Sequence, residues 1–99
     1  ASEEMIAILA KQHDRNMIPR LLPIDYDSVS GDYDSAIVAN KTGAVDGVRN
    51  DVALIRFANG KQWVICILTK DLRDLSWKVD HEGEIAIAKI ALEIYKEWI

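Results

Sequence analysis

An α+β chain, with a three-stranded antiparallel meander flanked by an N-terminal and a C-terminal helix, follows from three features of this sequence. Three β-forming runs at 36–44, 50–57 and 62–69 stand in succession. Short Gly-bearing turns, 44–49 and 58–61, join each run to the next, which makes consecutive strands antiparallel. Apolar residues recur at helical spacing only at the two ends of the chain.

The first helix opens at Ser2, a good N-cap, with Glu3 and Glu4 suited to the positive end of the helix dipole. Met5, Ile8, Leu9 and Gln12 follow at helical spacing, and Ile6 widens the apolar face. Pro19 and Pro23 forbid continuation. The apolar stretch 17–23 reads as a connector packed down on the core. The segment 24–34 is rich in Asp, Ser, Gly and Tyr and reads as a solvated surface loop. Its acids, Asp25, Asp27, Asp32 and Asp34, lack the Gly and terminal Glu spacing of an EF-hand, so no metal site is expected.

In the second strand, Val52, Leu54 and Arg56 alternate with Asp51, Ala53, Ile55 and Phe57. Apolar residues on both sides predict cover on both faces. Asn59-Gly60 is a strong hairpin signal. The stretch 71–79 is a polar crossing expected to be anchored by Trp77. From Asp80 the chain is helical again, with Asp80, Glu82 and Glu84 at its start. Ile87, Ala91, Ile94 and Trp98, backed by Ile90 and Tyr95, form the stripe expected to face the sheet, and Lys89 can pair with Glu93 on the opposite side.

Ninety-nine residues make at most one domain or a portion of a larger one, and 49% apolar with 28% charged residues is ordinary for a folded chain. The net charge of −4 offers no basic stripe, which argues against a nucleic-acid partner. No apolar run approaches the roughly 20 residues needed to span a bilayer. The single Cys66, inside an apolar strand, reads as a buried inert thiol. His13 and His81 read as exposed surface residues, and no cofactor motif stands out.

The informative local feature is Lys41-Thr42-Gly43, closing the first strand, followed by Ala44, a tight turn, and Arg49-Asn50-Asp51 opening the second. A Lys-Thr-Gly strand is one of three motifs of penicillin-recognising serine hydrolases. In this order, with a hairpin and a terminal amphipathic helix following, the chain resembles the C-terminal part of class A β-lactamases and their β-lactamase-like relatives. The resemblance runs from about Pro19 to the end, and the first helix also fits it. It implies that the meander belongs to a larger α/β/α sandwich and that the parent chemistry is acyl transfer through a serine ester on a β-lactam or related amide.

The resemblance also implies roles. Lys41 would set a positive charge beside the nucleophile and the substrate carboxylate, and Thr42 would donate its hydroxyl to that carboxylate. Gly43 would keep the strand bare so that substrate can lie alongside, and the Ala44 N–H would serve the oxyanion hole. Arg49 would reach across to the carboxylate. Taken singly, each also reads as an ordinary strand or turn residue.

Two departures stand out. The turn before Arg49 is one residue shorter than is common in class A enzymes. No Ser-x-x-Lys is present either: Ser2, Ser28, Ser30, Ser35 and Ser76 are followed three positions on by Met5, Gly31, Tyr33, Val38 and Val79. No Ser-Asp-Asn occurs. The expected partners are therefore the missing N-terminal, helical part of the same protein and a β-lactam or peptide-like small molecule. Family habit implies an exported protein. The competing reading is a non-catalytic α+β module that binds peptides or associates with itself.

Overall fold

The computed structural model describes residues 2–11, 14–25 and 34–98. Helix α1 (Ser2–Ala10) leads to a 3-10 turn (Ile18–Leu21) and a two-residue strand β1 (Ile24–Asp25). Strands β2 (Asp34–Val45), β3 (Val48–Phe57) and β4 (Gln62–Leu68) and helix α2 (Glu82–Trp98) complete the chain. Sheet order is β1-β2-β3-β4, so the expected antiparallel meander is present. Beyond it, β1 adds a short parallel pairing of Ile24 with Asp34. Ile24, expected in a surface loop, is therefore buried in the core. Most of that loop, with Asp27 and Asp32, and also Gln12 and His13, lies outside the described residues.

Strand register sorts the side chains onto two unlike faces. Val38, Asn40 and Thr42 stand opposite Ile55, Ala53 and Asp51, and the last two pair onward with Ile65 and Ile67. This face carries the core, closed by Ile87, Ala91 and Tyr95 of α2 and by Met17, Ile18 and Leu22 of the connector. Burying such side chains stabilises the fold by about 1.5–3 kcal/mol each. The 17–23 connector thus packs on the core as expected.

The opposite face is covered only in part. Helix α1 lies against β2 near the buried Ala39, and Glu3 pairs with Arg56 through two contacts of 3.0 and 3.2 Å. Farther along, Val52, Val64 and Leu68 are exposed, the last by 72%. Among the described residues, the cover expected on both sides of β3 is absent over this half of the sheet.

Other expectations change with the packing. Trp98 is 70% exposed, and the buried stripe of α2 is Ile87, Ala88, Ala91 and Tyr95. Ile94 packs against the core as expected, Ile90 and Trp98 are exposed, and a period of 3.6 allows Tyr95 rather than Trp98 to complete the stripe. Tyr95 completes it because its ring meets Phe57, centroids 6.4 Å apart. Lys96, not Lys89, pairs with Glu93, at 3.6 Å. In α1, Met5 and Ile8 are exposed and no residue is buried. Trp77 is exposed rather than an anchor, with one ring face under Arg49. Cys66 pairs with Val52 on the open face and is exposed, not buried. His81 is fully buried at the start of α2. Its Nδ1 accepts the Gly83 N–H at 3.0 Å, which leaves Nε2 as the donor to the Asp74 carbonyl at 2.6 Å.

Candidate active site

The five residues singled out in the sequence lie on and beside the β2–β3 hairpin, and strand geometry decides where each points. Lys41 pairs with Val52, which sets it on the open face, exposed, with Nζ donating to the Thr42 carbonyl. Thr42 pairs with Asp51 on the face toward α2, and its Oγ1 donates to Asp14 Oδ2 at 3.2 Å. Gly43 returns to the open face. Its φ is not positive, and a Cβ there would meet nothing closer than Asn50 Cβ at 4.0 Å. Neither backbone conformation nor packing among the described residues requires glycine at this position.

Ala44 sits opposite Arg49 in the ladder. The Arg49 N–H donates to Thr69 Oγ1 at 3.0 Å, and its carbonyl accepts the Thr69 N–H at 3.0 Å. Both backbone groups of Arg49 therefore point toward β4. Antiparallel pairs alternate between hydrogen-bonded and non-hydrogen-bonded, so Ala44 and Arg49 form a non-hydrogen-bonded pair. The N–H and C=O of Ala44 consequently point outward, away from β3, and those of Thr42 do the same. This is the outer edge of β2, which β1 covers only at Asp34 and Ser35.

Upstream, the same edge is closed. Arg15 Nη1 donates to the Val38 carbonyl at 2.9 Å, and Asn40 Nδ2 donates to the Asp14 carbonyl at 3.1 Å. Residues 14–16 thus run across the strand edge at 38–40; beyond it, among the described residues, only Lys41 Nζ reaches the edge, at the Thr42 carbonyl, and the Ala44 N–H and C=O have no backbone partner. A buried carboxylate fastens this crossing. Asp51 Oδ2 accepts the Ile18 N–H at 3.0 Å, and Oδ1 accepts Asn40 Nδ2 at 3.3 Å. Burial pushes the Asp51 carboxyl above its ordinary 3.8, and the Ile18 N–H works against that rise.

Arg49 is 2% exposed. Its Nη1 donates to the carbonyls of Val45 (2.8 Å) and Val48 (2.9 Å), and its Nη2 to that of Ser76 (3.0 Å). Its guanidinium carbon lies 4.5 Å from the centroid of the Trp77 ring. The arginine thus braces the Val45–Val48 turn from the α2 side, and Lys41 points to the other face. Glu84, half-buried in the first turn of α2, is pushed up by burial and drawn back by Arg49.

Sequence reasoning missed the supports of this edge: Asp14, Asn40 and Asp51. One signal was available for Asp51, an acid on the same side of its strand as Ala53 and Ile55. An acid on a core face needs buried partners. Nothing local marked Asp14.

The sequence matches the Beta-lactamase enzyme family over residues 1–98, and the chain belongs to that family. A β-lactamase from Sphaerobacter thermophilus is 32% identical with a TM-score of 0.70, and the match covers 95% of this chain and 31% of that one. A TLA-1 extended-spectrum β-lactamase is 24% identical with a TM-score of 0.71, covering 95% and 32%. A PBP-A acyl-enzyme complex with penicillin G is 20% identical with a TM-score of 0.68, covering 95% and 30%. The chain therefore spans about a third of the length of these structures. No curated protein matches it. Among the described residues, no helix is long and apolar enough to cross a membrane.

Proposed function

We propose that this chain is the C-terminal portion of an exported β-lactamase-like serine hydrolase. It would supply one wall of a site whose nucleophilic serine lies on the remainder of the protein. The observation that carries this reading is the open edge of β2 at Thr42 and Ala44, beside a Gly43 that nothing among the described residues requires. A substrate amide could add there as an extra strand, with the bare glycine admitting its close approach. The Ala44 N–H, already aimed outward, is suited to one half of an oxyanion hole. Lys41 would bring positive charge to the nucleophile and the developing anion. Thr42 is the donor for a substrate carboxylate. Arg49 is expected to bind that carboxylate only if it leaves its three carbonyls; as folded, it serves the site by holding the turn that fixes Ala44.

The rest of the domain has somewhere to sit. Val45, Val52, Val64 and Leu68 form an exposed apolar surface around Lys41 and along β4, whose outer edge is unpaired among the described residues. Such surfaces mark interfaces. They also support the second reading, a module that associates with itself and has no catalysis of its own.

Steady-state turnover of a penicillin by the full-length protein separates the two. Under the hydrolase reading, Lys41→Ala lowers kcat/KM by two or more orders of magnitude, the scale of lost transition-state electrostatics. Unchanged turnover would exclude Lys41 from the site.

A further inference from the structure

His81 joins the start of α2 to the crossing 71–79, and that crossing reaches the turn behind Ala44. The ring is fully buried, and Gly83 packs so closely that a Cβ there would stand 3.2 Å from the ring and run into Leu72 Cδ1. Leu72 in turn donates its N–H to the Gly47 carbonyl at 3.0 Å, and the Ser76 carbonyl accepts Arg49 Nη2 at 3.0 Å. The crossing therefore holds the Val45–Val48 turn at two points. His81 fastens the crossing to the helix, because Nδ1 accepts the Gly83 N–H at 3.0 Å and Nε2 donates to the Asp74 carbonyl at 2.6 Å. Only a neutral imidazole does both, since in the charged ring both nitrogens donate.

The charged groups around the ring do not replace the acceptor that protonation removes. Asp74 and Glu84 attract the charged form, and Glu82, whose Oε1 accepts the Asp74 N–H at 2.8 Å, adds a third carboxylate. Arg49 and Arg20 bear on Glu84 with positive charge and Asp14 with negative. Lys78 and Asp80, beside His81 in sequence, are exposed. An imidazolium here gains attraction and still leaves the Gly83 N–H without its acceptor in a buried helix start.

We infer that His81 is a positioning residue for the Ala44 N–H, acting through the 71–79 crossing, and that it acts only while its imidazole is neutral. Histidine ordinarily gains its charge between about pH 8 and pH 5. Protonation releases Gly83, loosens Leu72 and Ser76, and lets the turn leave the geometry an oxyanion donor needs. The inference rests on the acyl-transfer reading above and adds to it an acid limit set from α2.

The test uses the full-length protein at about pH 7.5 and about pH 5. Hydrogen exchange followed by NMR, corrected for the intrinsic pH dependence of exchange, should show protection of the Gly83 and Leu72 amides falling about tenfold at the lower pH. In His81→Asn, whose side chain caps a helix without titrating, both protections should stay level. Over the same range, acylation by benzylpenicillin should slow roughly fivefold more in the parent than in His81→Asn. Level protection in the parent would overturn the inference, and that measurement needs no variant to fold. Equal acid losses of acylation in parent and variant would also overturn it, because a merely structural histidine lowers the rate alike at both pH values. If the parent is acylated at neither pH, the acyl-transfer reading fails, and the two amides still decide whether the clasp responds to acid.

Discussion

Asp51 accepts the backbone N–H of Ile18 at 3.0 Å across 33 positions of sequence. This one bond joins the strand beside Lys41-Thr42-Gly43 to the connector that crosses the edge of β2. Asp51→Ala leaves the Ile18 N–H without its acceptor and Asn40 Nδ2 with only the Asp14 carbonyl, and is expected to cost about 3 kcal/mol. Asp51→Asn keeps an acceptor, removes a buried charge, and should stay within about 1 kcal/mol of the parent. Because burial raises this carboxyl in the folded chain above its ordinary 3.8, the folded state holds the proton more tightly than the unfolded state. The stability it contributes is full below 3.8 and is lost as pH rises through the raised value. Urea denaturation across this range should therefore show a smaller decline in stability for Asp51→Asn than for the parent.

The same pair shows how much was legible in the sequence. Alternation along β3 put Asp51 on the side of Ala53 and Ile55, and the two glycine turns set the meander. What alternation could not supply was the outer face of the sheet. Val64, Cys66 and Leu68 are as apolar as Trp63, Ile65 and Ile67 on the other side, so the pattern pointed to cover on both. Among the described residues the structure covers one face, and the other only where α1 lies on β2. Lys41, Thr42, Gly43 and Ala44 were recognisable as a motif in order, and the comparisons support the family that the motif suggested. The outward direction of the Ala44 N–H needed the register. The contacts of Arg49 and Asp14 needed the path of distant segments, 71–79 and 14–18, for which no local pattern exists.

The start of α2 is expected to depend on acid pH with the opposite sign. Asp74 bonds Ser76, with its Oδ1 accepting the Ser76 N–H at 2.9 Å, and its Oδ2 accepts the Glu82 N–H at 3.3 Å. Together with the nearby His81, these contacts hold its carboxyl down at about 2. A depressed carboxylate contributes stability that is present above the unfolded value of 3.8 and lost as pH falls through about 2. Thermal denaturation monitored by circular dichroism should show a smaller loss of Tm between those pH values in Asp74→Ala than in the parent. An identical acid loss in both would assign it to other carboxylates.

The uncovered half of the sheet makes a prediction about association. The 99-residue chain on its own should self-associate at micromolar concentration, because the apolar face and the unpaired edge of β4 are open together. Sedimentation velocity should show species heavier than 11.1 kDa. Val64→Lys with Leu68→Lys, two charges on the open face, should shift the distribution toward monomer. A stable monomer of the unsubstituted chain would mean that the open face needs no partner, against both the fragment and the self-associating readings.

As one wall of the proposed acyl-transfer site, this chain needs the remainder of the protein for chemistry. Intact-mass analysis after incubation with a penicillin tests it most directly. The full-length protein should gain the mass of one β-lactam, Lys41→Ala should slow that gain at least about a hundredfold, and the 99-residue chain alone should gain nothing. Acylation of the isolated chain, or acylation of the full-length protein at an unchanged rate in Lys41→Ala, would contradict the account.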